Sequence, residues 1–168
     1  MAKPARTLGK LRRSDYQSVS VRDEIRKNLV AKLRTGDPLF PGIIGYDETV
    51  LPALVNAILA GQDVIFLGER GQAKSRLIRL LASLLDEAIP VLDGPEIPED
   101  PFAPISQAGK ELVATAGDDA PIRWMIRDER YSEKLATPDI TIADLIGEVD
   151  PIKVAEGRYL SDELTVHY

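Results

Sequence analysis

Cysteine is absent from this chain of 168 residues, histidine and tryptophan occur once each, and aromatic residues make up only 5%. Without cysteine there are no disulfides, thiolate metal sites or cysteine nucleophiles, a pattern that suits a cytoplasmic setting. His167 alone cannot supply a histidine pair for a metal or the centre of a catalytic triad, and its position reads as a strand residue. No apolar run approaches the roughly 18 residues that would span a bilayer, so no membrane role is expected. The first ten residues lack the apolar core of a secretory signal, although their basic, acid-poor character leaves an organellar transit sequence open.

The apolar fraction of 44% and charged fraction of 29% belong to a globular protein with enough chain for one core. Charge is uneven. Ten bases and three acids occur through Arg34, a net +7, against a net −13 for the remainder. A basic arm can serve nucleic acid or an acidic partner. Its aromatic interleaving is limited to Tyr16, so the expected reading is a solvated leader followed by the polar face of a helix.

Along the chain, residues 1–18 read as a loose tail. Ser20 then caps a helix with Val21, Ile25, Leu29 and Leu33 on one stripe and Gly36 as terminator. Turn chemistry over 37–42 marks a boundary, dividing a basic tail plus helix (1–36) from the main domain (37–168). A second helix carries Leu51, Leu54, Val55, Ile58 and Leu59, with Asp47 or Thr49 as cap and Gly61 as stop. Val64–Leu67 is wholly apolar, as expected of a strand buried on both faces of a parallel sheet. Leu77, Ile78, Leu81, Leu84 and Leu85 form the stripe of the next helix. Strands are expected at Ile89–Leu92 and Pro121–Arg127, a proline-rich surface loop over 93–104, and a short helix over 107–116. The last third reads as a turn and a brief helical segment over 137–147, then short strands at 152–154, 157–160 and 164–167 arranged as a hairpin.

The segment from Gln62 to Arg76 carries the chemistry: an apolar run, a turn Gly68-Glu69-Arg70-Gly71-Gln72-Ala73, then Lys74-Ser75-Arg76 opening a helix. Backbone N–H groups of such a turn and the positive helix end bind phosphate, lysine reaches the outer phosphates, and serine holds Mg²⁺. Against the signature G-x-x-x-x-G-K-[ST], Gly68, Lys74 and Ser75 match while Ala73 replaces glycine. A methyl group fits there if Ala73 has helix-like dihedrals, leaving any positive φ to Gly71. Hydrolysis also needs a carboxylate at the end of a neighbouring strand. Leu84-Leu85-Asp86-Glu87 lies in the helix after the cradle and so at its far end, and Ile89–Asp93 reads as structural. Trp124 reads as packing, and Arg123, Arg127, Arg130 and Arg158 as a solvated face.

Phe40-Pro41-Gly42-Ile43-Ile44-Gly45, a helix, and then Gly-Glu-Arg-Gly-Gln-Ala-Lys-Ser resemble, in order and spacing, an AAA+ ATPase of the magnesium-chelatase and MoxR branch. Ala143–Asp150 and the hairpin after it are similar to that branch's β-hairpin insert. The resemblance covers about 40–168 and implies an α/β P-loop NTPase: a three-layer αβα core, incomplete, with a hairpin insert and an N-terminal helix. It implies ATP and Mg²⁺ as cofactors. Gly68, Glu69, Arg70, Gly71, Gln72, Ala73 and Arg76 belong to the cradle, with Lys74 as the catalytic candidate on the β- and γ-phosphates and Ser75 on Mg²⁺. Ile43 and Ile44, with Gly45, take adenine. It further implies a homo-oligomeric ring, hexameric in the family, and a von Willebrand A domain partner. The family's Walker B acids, sensors and arginine finger lie further along such a chain, so the expectation is an N-terminal segment that binds ATP without turning it over. The rivals are a nucleotide-gated binding module and a nucleic-acid-associated AAA+ regulator; the Gly-Ala-Phe-Thr-Gly-Ala loop of the latter is absent.

Overall fold

The basic N-terminal segment is folded, not loose. Leu8–Arg12 forms helix α1, with Leu8 and Leu11 inaccessible to solvent. It is stitched to residues far along the chain: Leu8 N donates to Ala120 O (2.9 Å), Ile122 N to Arg6 O (3.1 Å), and the Trp124 indole to Ala5 O (2.8 Å). Leucines at 8 and 11 share one face of a single helical turn, and covering that face outweighs the solvation of the flanking arginines. The computed structural model describes residues 4–135, 137–146, 148–149, 152, 155 and 166–167, which fall into two units, Met1–Tyr131 and Ser132–Tyr168. The turn at 37–42, expected as a boundary, lies inside the first.

In that first unit α2 (Val21–Thr35) begins at Ser20, whose hydroxyl accepts from Asp23 N (3.1 Å), and ends at Gly36 with φ of 75°. These are the predicted signals at both ends. Helix α3 (Val50–Leu59) packs on α2, and Leu29, Phe40, Ile43, Leu54, Ile58, Leu77 and Leu84 form the main core beneath them. Thr49 occupies the cap position without a side-chain hydrogen bond. Helix α4 (Lys74–Ala82) supplies Leu77 to this core but stops before Asp86, earlier than its apolar stripe suggests.

Two predicted strands form, β1 (Ala88–Leu92) and β2 (Ile122–Ile126), and they pair with each other in antiparallel register from Ala88↔Ile126 to Leu92↔Ile122. The expected strand at Val64–Leu67 does not form. Ile65 and Leu67 are 82% and 88% exposed while Phe66 packs on the core, an inside–outside alternation without a ladder. A strand needs a hydrogen-bonded neighbour, and β1 and β2 satisfy one another instead. Among the described residues there is therefore no parallel sheet, only two two-stranded antiparallel ones.

The proline-rich stretch is the expected surface loop, mostly exposed, but it is anchored at two buried residues, Glu99 and Pro101. Pro101 is fully buried, Leu92 N donates to Glu99 O (3.0 Å), and the Glu99 carboxylate takes the N–H of Ser106 (2.7 Å), the N–H of Ile105 and the Ser106 hydroxyl. Ser106 in turn accepts from Gly109 N (2.9 Å), capping α5 (Gln107–Ala116). A 3-10 turn over Gly117–Asp119 leads into β2, and α6 (Arg127–Arg130) follows it.

In the second unit Thr141 N and Oγ1 both donate to Asp144 (2.9 Å each) at the start of α7 (Ala143–Ile146), and Lys134 pairs with the same carboxylate at 3.0 Å. The Thr141 amide leads the effects that hold Asp144 down to about 2. Strand β3 (Glu148–Val149) pairs antiparallel with β4 (Val166–His167), placing His167 in a strand as predicted. Ile152 is helical where a strand was expected. Residues 153–154, 157–160 and 164–165, the rest of the expected hairpin, lie outside the described residues.

Candidate phosphate cradle

Residues 68–73 turn back on themselves and deliver the chain into α4. Gly68 has φ of 151° and Gly71 of 83°, both in the region that favours glycine. Ala73 is there too, with φ of 55° and ψ of 16°, so the helix-like dihedrals expected for it are not what the loop uses. A left-handed alanine costs roughly 1–2 kcal/mol, held in place by its neighbours. Lys74 Nζ folds back to donate to Gly68 O (2.7 Å) and to Glu69 O, closing the loop around its own cation. Ala73 brings no side-chain acceptor to cap α4, whose first intrahelical acceptor is Ala73 O, bonded by Leu77 N at 2.9 Å. The amides of Lys74, Ser75 and Arg76 thus have no partner within the helix, as in any first turn.

Ser75 is exposed on the first turn and Gln72 lies across Gly68, where a Cβ would stand 2.0 Å from Gln72 Oε1. The turn over 42–46 meets the cradle from the other side. Tyr46 Oη donates to Gln72 O (3.2 Å), and the Arg76 guanidinium sits against Gly42. The two isoleucines expected to hold adenine part company. Ile43 is 7% exposed and belongs to the core, while Ile44 is 89% exposed, so the pair does not offer two walls of one slot. A groove of about 830 Å³ runs from Lys74 and Ser75 along Val64–Phe66 and α4, over Ile58, Ile78 and Leu81, within the general size range of small-molecule pockets. Asp63 shares it, paired with Arg22 at 3.2 Å.

Beside Lys74, the exposed Ser75 presents one hydroxyl oxygen, the hard donor type that a cation such as Mg²⁺ takes. Among the described residues, no group of three or more His, Cys, Asp or Glu side chains is placed to hold a metal ion.

Of the arginines read as a solvated face, Arg123 pairs with Glu129 (2.9 Å) near the surface, Arg127 Nε donates to Leu85 O (3.0 Å), and Arg158 lies outside the described residues. Arg130 is different. Its side chain is 7% exposed and grips Glu24, 3% exposed, through both guanidinium nitrogens. Glu24 also accepts from Asp86 N (2.6 Å), and Asp86 takes Lys27 (3.0 Å) and Asn28 (2.7 Å), which clamps α2 to the segment after α4. The bond to Glu24 leads the effects that raise the Arg130 pKa. Burial, the largest single effect on Asp86, pushes its pKa up, yet the bonds from Asn28 and Lys27 outweigh it and the net shift is downward. Sequence spacing carries no signal for a pair 106 residues apart. The clamp borders a second cavity of about 710 Å³ walled by the strap Asp15–Ser20, where burial and then Asp100 raise the Tyr16 pKa.

No protein-family model, no curated protein and no solved structure matches the chain. Among the described residues, no helix is long and apolar enough to cross a membrane.

Proposed function

We propose that the chain binds ATP with Mg²⁺ through residues 68–76, as the nucleotide-binding segment of an AAA+ ATPase of the magnesium-chelatase and MoxR type. In that setting ATP hydrolysis between subunits of a ring drives remodelling of, or metal insertion into, a partner protein. The observation that carries the reading is Lys74 folded onto the carbonyls of Gly68 and Glu69 at the mouth of α4. An ammonium held there sits between a left-handed loop and the positive end of a helix, the two elements that attract phosphate. Phosphate oxygens would replace the two carbonyls as acceptors, and Mg²⁺ bound to them would be held by Ser75 and would offset their charge.

Binding, without turnover, is the activity assigned to these residues. Hydrolysis also needs a carboxylate that orients the attacking water; Asp63, which shares the groove with Lys74 and Ser75, is 97% exposed in its pair with Arg22, and no role in turnover is assigned to it. The test is thermal melting with Mg·ATP. A hundredfold excess over Kd raises stability by about 2.7 kcal/mol in a true binder. Lys74→Ala should abolish that gain while melting normally without nucleotide. An equal gain in parent and variant means ATP binds elsewhere.

A further inference from the structure

Two contacts join the turn over 42–46 to the candidate cradle. Tyr46 is fixed from below: its carbonyl accepts from Thr49 N (3.2 Å) and Leu51 N (3.0 Å) at the start of α3, and its half-buried ring packs on the main core. Only the hydroxyl reaches out, donating to Gln72 O across 26 residues of sequence. Gln72 is thereby held at both ends, its carbonyl by Tyr46 and its side chain folded over Gly68. The second contact is Arg76 on Gly42. A Cβ built at Gly42 would lie 2.2 Å from Arg76 Nη2, the movable end of a long exposed side chain, so it is the φ of 75° that favours glycine there.

We propose that Tyr46 is a positioning residue of the cradle: its hydroxyl locks Gln72, and with it the amides of 70–73, in the orientation that receives phosphate. The inference rests on the nucleotide reading above and adds to it a mechanical link between the turn before α3 and the phosphate grip. Loss of one neutral hydrogen bond to an ordered loop corresponds to roughly 2- to 10-fold in affinity. That loss falls on the phosphate end of the ligand, whatever base it carries.

The experiment compares parent, Tyr46→Phe and Lys74→Ala with two probes, Mg·ATP and magnesium tripolyphosphate, and follows amide hydrogen exchange over 68–73 in the unliganded proteins. Tyr46→Phe keeps the ring and both backbone bonds, so its unliganded melting should match the parent. The expected result is faster exchange over 70–73 and equal weakening of both probes, roughly 2- to 10-fold. Weakening of ATP alone would mean that Tyr46 touches the base and overturns the positioning role, as would unchanged exchange. If the parent binds neither probe, the nucleotide reading fails and the positioning role falls with it, whereas binding abolished by Lys74→Ala but untouched by Tyr46→Phe refutes only the lock.

Discussion

Arg130→Met removes both guanidinium bonds to Glu24 and leaves a side chain of comparable reach. The carboxylate left behind is 3% exposed and keeps one donor, the Asp86 amide. Stranding one member of a buried pair costs about 3–5 kcal/mol, whereas exposed pairs are worth about 0–1 kcal/mol. Arg12–Asp118, at 52% and 56% exposure, is the internal control. At roughly 2–4 °C per kcal/mol for a chain of this size, Arg130→Met should lower the melting temperature by about 6–20 °C, and Arg12→Met by no more than about 4 °C. The double variant Glu24→Met with Arg130→Met should recover much of the loss, because two apolar side chains leave no charge buried. Urea and thermal unfolding of the parent, both single variants and the double variant give the coupling energy directly. A loss below about 1 kcal/mol for Arg130→Met, or single effects that simply add, would show that the clamp is not a buried pair in solution.

Leu8→Ala should cost about 2–5 kcal/mol, the price of a methyl-lined void; if the N-terminal segment is instead a solvated leader, denaturant midpoints will not move. Ala73→Gly relieves a left-handed alanine worth roughly 1–2 kcal/mol against about 0.4–1 kcal/mol of added unfolded-chain entropy, so melting should rise slightly. A fall of several degrees would argue against that backbone geometry. Glu99 has a pKa lowered from 4.5: burial is the largest effect and raises it, but the Ser106 and Ile105 hydrogen bonds prevail. Its contribution to stability is therefore complete above the ordinary glutamate value and is lost as pH falls through the lower folded value. Melting curves between neutral and acid pH should show a shallower acid decline for Glu99→Gln than for the parent, and parallel declines would contradict the assignment.

Local signals were legible where they are self-contained. Ser20 and Gly36 bracket α2, and α3 and β2 form where their apolar residues place them, although burial along β2 grades from Ile122 to the exposed Ile126 and does not alternate. The glycine-lysine loop likewise reads from its own residues. What spacing could not reveal depends on partners distant in sequence. Leu8 and Leu11 looked like part of a polar leader because Ala120, which receives the first turn of α1, lies more than a hundred residues on. Arg130 looked solvated because Glu24 is equally remote. The Val64–Leu67 run has the composition of a buried strand, but composition does not supply the neighbour that a strand requires. At Ala73 the motif position predicted the residue's place in the loop and not its dihedrals, which follow from the tight return into α4.

Ile65 and Leu67 standing open beside the cradle have a practical consequence. A short apolar, β-prone stretch without ladder partners is a template for adhesion between molecules. Opposing this is the chain's net charge of −6, whose mutual repulsion keeps copies apart at low ionic strength. Salt screens that repulsion and leaves the apolar attraction intact. Concentrated, salty solutions of the protein will therefore turn cloudy before dilute ones of low ionic strength, and a charged residue in place of Leu67 is the single change best suited to keep them clear.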